Sequence, residues 1–175
     1  MLAYSTIEHA GLLSLGFGFG GIGIFGALLH MLYHSLAKTL MFLLASNIVV
    51  RYSSSLISNI TGMLKVLPST SILYLFAMLF LVGLPPFGMF FSEFYIISSG
   101  FSQHLLISLL SLLMLVLVFV GFIKTAMHMI FSKAPEDIPQ GETNYWSIIP
   151  VGVIAMILMV ISIVIPEAVM QLLQE

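Results

Sequence analysis

The chain has 175 residues, 60% of them hydrophobic and 7% charged, with a mean hydropathy of +1.17 and a formal net charge of −2. A soluble domain carries about 25% charged residues, so this composition excludes that class and marks an integral membrane protein. The lack of cysteine excludes disulfides and thiolate metal sites, and the lack of any basic run excludes nucleic acid as a partner.

A transmembrane helix needs about 20 mostly apolar residues, and five segments meet that need. The first runs from Met1 to about Phe17 and carries Glu8 and His9; MLAYSTIEHAGLL lacks the positive n-region and small-residue cleavage site of a secretory signal. It leads into the glycine-rich GFGFGGIGIFG of residues 16–26. Glycines at such spacing cradle phosphates after a strand, but between two membrane helices they predict close helix packing or a tight hairpin. The second segment, about Phe25–Val50, contains LLHMLYHSLAKTLMFLL at 28–44. Its His30, His34 and Lys38 are four residues apart and form one helical stripe, ~12 Å from first to last.

The third segment, Thr70–Ser99, is interrupted by Leu84-Pro85-Pro86-Phe87-Gly88 and carries Glu93 beyond the interruption. Pro85 and Pro86 have no N–H to donate, and each restricts the residue before it, so the helix is expected to break there. The fourth segment, about Gln103–Phe131, is opened by His104 and holds His128 near its end. The fifth is about Trp146–Gln171, with Tyr145 and Trp146 where an interfacial anchor belongs. Arg51 and Lys65 fall in one long connection, and Lys124 and Lys133 lie at the end of the fourth segment and just after it; the connections at 18–25 and 99–104 have neither Lys nor Arg. The positive-inside rule then predicts the N-terminus and the 51–69 and 132–145 loops in the cytoplasm and the C-terminus outside.

Once the loop charges are set apart, Glu8, His30, His34, Lys38 and Glu93 remain inside apolar spans. A lone polar group there reads as an interhelical hydrogen bond worth about 0.6–2 kcal/mol. Three ionisable groups in one stripe do not, because desolvating a lysine costs several kcal/mol that packing alone does not return. Histidine titrates near neutral pH, and lysine is the other cation whose proton affinity responds to burial, so the stripe suits proton movement. A break in mid-membrane, tolerated only where protein or water meets the freed backbone groups, also points to an ion pathway. An HxxxH pair with no accompanying thiolate or carboxylate at helical spacing is a poor metal or haem site. GxSxG and HExxH motifs are both missing, which removes an intramembrane hydrolase.

AYSTIEHAG at 3–11, HMLYHSLAKTLMFL at 30–43 and GLPPFGMFFSEF at 83–94 resemble the antiporter-like membrane subunits of complex I, Mrp antiporters and membrane-bound hydrogenases. STIEH and FFSEF look most like the hydrogenase-4 component F and formate hydrogenlyase branch. The resemblance implies an all-α membrane fold of about five transmembrane helices, the third broken at Pro85-Pro86, forming part of an inverted-repeat architecture. Residues 1–131 would be a partial second repeat, and 132–175 a cytoplasmic loop with the C-terminal transmembrane helix. It implies a proton relay of Glu8, His30, His34, Lys38 and Glu93, with Glu93 at its outward end. The expected function is proton translocation by a non-redox subunit without catalytic site, metal or cofactor of its own. Its expected partners are the lipid bilayer and the membrane and hydrophilic subunits of a multisubunit redox complex, in the cell inner membrane. The alternatives are an Mrp-type Na⁺/H⁺ antiporter subunit and a purely structural fragment. Family members are much longer and begin with a further repeat, so a C-terminal fragment is expected.

Overall fold

A computed structural model describes residues 2–142 and 145–172, the side chains of 166–172 excepted; Met1, the expected start of the first segment, lies outside them. The described residues form seven α-helices and no strand: α1 (Leu2–Phe19), α2 (Ile22–Tyr52), α3 (Met63–Val66), α4 (Pro68–Leu81), α5 (Gly88–Gly100), α6 (Leu105–Phe131) and α7 (Ile149–Leu172). Single 3-10 turns occur at Ile57–Asn59 and Tyr145–Ser147.

Ile22–Tyr52, Leu105–Phe131 and Tyr145–Ile165 are each long and apolar enough to cross a membrane. The expected third segment is two helices, of 14 and 13 residues. Each half is ~20 Å long, short of the ~30 Å hydrocarbon core, so only in series can they cross it. Between them, Val82 donates to Met78 O, Gly83 to Phe80 O and Leu84 to Leu79 O, while Phe87 donates back to Leu84 O. Pro85 and Pro86, joined by a cis peptide, have nothing to donate and lie exposed at the turn. Phe87 re-enters the core against Phe76 and Phe80.

The hub is α2, packed against α1, α4, α5 and α7. Its Tyr33, Ala37, Leu40, Met41 and Leu44 form the core with Tyr74, Ala77, Met78 and Phe80 of α4. The glycine-rich stretch is both hairpin and packing face. Gly20 and Gly21 turn the chain at φ +77° and +53°, a region glycine occupies without steric cost. On either side, Gly16 and Gly23 bring α1 onto α2 so closely that a Cβ at Gly16 would lie 2.8 Å from Gly23 O.

Connections are paired at the two ends of the bundle. At one, Phe19 stacks on His104 with ring centroids 5.7 Å apart. At the other, residues 132–142 clasp the 51–70 region. Arg51 donates to the carbonyls of Pro139 and Gly141, Gly141 N–H donates to Val66 O, and the Glu142 carboxylate accepts from Thr70 N–H and Oγ at 2.9 Å each. The loops grouped by their basic residues are thus neighbours in space. Tyr145 and Trp146, at the start of the last apolar span, are 69% and 79% exposed.

Candidate functional site: a buried histidine–lysine–glutamate cluster

The inner face of α1 presents Ser5, His9, Leu12 and Gly16, and the hairpin lays it antiparallel along the stripe of α2. Ser5 therefore meets Lys38, and His9 meets His30 and His34. Lys38 Nζ donates to Leu2 O and Ser5 Oγ, 2.5 Å each, at a position only 6% exposed. His9 Nδ1 is 3.0 Å from His30 Nε2. The His9 ring centroid is 4.6 Å from that of His34, and the His30 and His34 rings are parallel to within 7°.

The first turns of α5 complete the cluster from the far side of the break. Ser92 Oγ lies 3.0 Å from His30 Nδ1. Glu93, 7% exposed, folds back over Gly83 in the break, where a Cβ would lie 2.2 Å from Glu93 Oε2. One donor atom each of His9, His30 and Glu93 falls within 4.8 Å of the others. Among the described residues, Glu93 Oε1 and His34 Nε2 are buried without a hydrogen-bond partner. Such groups cost about 1–3 kcal/mol each, and each gains a partner by taking up a proton or a water's hydrogen bond.

Glu8 stands at the edge of the cluster. Its carboxylate is 19% exposed and 3.8 Å from His9 Nε2. It borders two grooves between α1 and α6, of about 350 Å³ and 330 Å³, whose other lining residues include Gly11, Leu15 and Met114 in one and Tyr4, Gly121 and Thr125 in the other. With His9, Glu93 and the α6 residues Val118, Phe119 and Phe122 it also lines an inner cavity of about 10 Å³. That volume is near the minimum for one water molecule.

The structure therefore gathers Glu8, His30, His34, Lys38 and Glu93 in one place. It adds His9, Ser5 and Ser92, which spacing within a single ionisable stripe does not single out. The signal for Ser5 and His9 is present in the spacing 5, 9, 12, 16, one face of a helix directly preceding the histidine–lysine helix; Ser92 has no such signal. His104 and His128 lie elsewhere, the first on Phe19 and the second exposed beside Ser132. Two imidazoles and a carboxylate also make a donor set for a transition metal. Here the facing nitrogens of His9 and His30 engage each other at hydrogen-bond distance, an arrangement that needs a proton between them.

An all-α membrane bundle with a broken helix and a buried line of protonatable groups defines the class of antiporter-like membrane subunits. The chain belongs to the family described as NADH:quinone oxidoreductase/Mrp antiporter, TM, whose pattern matches residues 1–123. It is 38% identical over 109 residues to the hydrogenase-4 component F homolog of Methylacidiphilum infernorum, covering 62% of this chain and 23% of that protein. With formate hydrogenlyase subunit 3 of Escherichia coli it shares 34% identity over 113 residues, 58% of this chain and 19% of that one. NADH-quinone oxidoreductase subunit N of Desulforudis audaxviator is 36% identical over 98 residues, 55% of this chain and 20% of the relative. The chain thus spans about a fifth of the length of these relatives. In fold it matches a chain of the Mrp complex from Dietzia sp. with a TM-score of 0.82 at 17% identity, over 92% of this chain and 39% of that one.

Proposed function

We propose that this chain carries part of a proton path in a multisubunit redox complex of the hydrogenase-4 or NADH-quinone oxidoreductase kind, in the cell inner membrane. Glu8 takes up protons from the groove between α1 and α6. His9, His30, His34 and Lys38 share them, and Glu93 releases them past the break. The observation that carries this reading is the 3.0 Å contact between His9 and His30, two buried imidazoles with a carboxylate within reach on either side. Facing imidazoles at hydrogen-bond distance can pass a proton directly from one ring to the other. The absence of basic residues at 18–25 and 99–104 supports a cytoplasmic N-terminus and outward release.

The test is proton translocation by the assembled complex in vesicles. Glu93→Gln and Lys38→Ala are each expected to lower the rate by about a hundredfold, the lower range for loss of a positioned proton-transfer group. Rates unchanged in both variants would refute the relay. Dependence of transport on sodium, with no dependence on a redox substrate, would favour the Na⁺/H⁺ antiporter reading instead.

A further inference from the structure

Ser92 is fully buried, and its Oγ lies 2.7 Å from Met89 O, 3.0 Å from His30 Nδ1 and, more loosely, 4.0 Å from the Met89 sulfur, a weak acceptor. A hydroxyl has one proton to donate. Two oxygens at 2.7 Å with no proton between them repel, and a main-chain carbonyl has none to offer, so the serine proton lies toward Met89 O. The contact to His30 is then made by an N–H at Nδ1, with Ser92 Oγ accepting. In neutral His30 this leaves Nε2 as the acceptor nitrogen, and Nε2 is the atom facing His9 Nδ1 at 3.0 Å. His9 must therefore donate from Nδ1, and its own Nε2 lone pair faces the Glu8 carboxyl at 3.8 Å.

We infer that Ser92 is a positioning residue that fixes the tautomers of His30 and His9 and so gives their hydrogen bond a direction, from the Glu8 side toward α5. This deepens the relay reading and rests on it. In the transfer, the His9 Nδ1–H bond breaks and that proton binds His30 Nε2. His9 takes its replacement at Nε2 from the Glu8 carboxylic acid, which becomes a carboxylate. His30 keeps its Nδ1 proton on Ser92 throughout and surrenders the new one from Nε2 to the Glu93 carboxylate. Nε2 is then the one working nitrogen of His30. After the transfer, lone pairs of His9 and His30 face each other, so a second proton crosses only once His9 has reset its tautomer.

The experiment is solid-state nitrogen NMR on the assembled complex, labelled at histidine nitrogen, in lipid bilayers, with the His30 signal assigned by its loss in His30→Gln. In the unaltered protein, neutral His30 is expected with its proton on Nδ1; a proton on Nε2 overturns the inference without need of any variant. Ser92→Ala is expected to shift His30 toward the Nε2–H form and to slow proton translocation by about tenfold to a hundredfold, the scale of a misplaced reacting group. Ser92→Thr, which keeps the hydroxyl, is expected to restore both. An unchanged His30 tautomer in Ser92→Ala also overturns the inference. Unchanged translocation in His30→Gln, beside the expected tautomers, would instead refute the relay and leave the role of Ser92 as tautomer anchor standing.

Discussion

Gly83 ties conformation to chemistry at the scale of one residue. Its φ of +67° costs a non-glycine residue about 1–2 kcal/mol, and the atoms a Cβ would strike are the carboxylate of Glu93, the movable end of a flexible side chain. Gly83→Ala is therefore expected to leave the chain folded, with a stability loss of about 1–2 kcal/mol in thermal unfolding. Proton translocation should fall far more steeply, because Glu93 is displaced from His9 and His30. Ser5 offers a second case. It is one of two acceptors that hold the Lys38 ammonium, and Ser5→Ala leaves a buried donor short of a partner at a cost of about 1–3 kcal/mol. The measurement is thermal unfolding in detergent, and Ser5→Thr should recover the loss.

Helix contacts depend on whether the atoms in the way can yield. A Cβ on Gly26 would meet Tyr95 Cβ at 2.9 Å and the Ile96 backbone nitrogen at 3.0 Å, neither of which can swing aside. Gly26→Val is expected to lose about 1–3 kcal/mol by overpacking and to separate α2 from α5, seen as a lower unfolding temperature and a lower yield of assembled complex. Much of this scale was legible in the sequence. The proline pair marks the break, the glycine run marks the hairpin, and four-residue spacing marks the stripe His30, His34, Lys38. The fold-back of Glu93 over Gly83 was not legible, because spacing along α5 says nothing about which residue of the break lies beneath. The part His9 plays is illegible for a related reason. A single histidine near the start of an apolar helix becomes meaningful only when the hairpin lays it against its partner. The short helix α3 and the clasp around it gave no sequence signal beyond the polarity of their loops.

The molecule as a whole is held at one end by residues 132–142. A Cβ at Gly62 would lie 2.3 Å from Ala134 Cα and 2.5 Å from its nitrogen, backbone atoms that move only if the loop moves. Gly62→Ala is expected to lift the loop away and expose the chain near Lys133 and Glu136 to protease. Glu142→Gln weakens the same clasp by removing the charge that Thr70 N–H and Oγ bind, at a cost of about 1 kcal/mol as for other helix N-terminal caps. Limited proteolysis of membrane vesicles reads both, and equal cleavage in wild type and variants would contradict the clasp. This clasp grips α4 at Thr70, and the opposite end of α4 leads straight into Gly83, the floor under the Glu93 carboxylate. A helix of 14 residues, ~21 Å long, resists compression along its axis. The loop and the Glu93 carboxylate are accordingly two ends of one push-rod, so that a force on the loop is carried along α4 to the floor beneath that carboxylate.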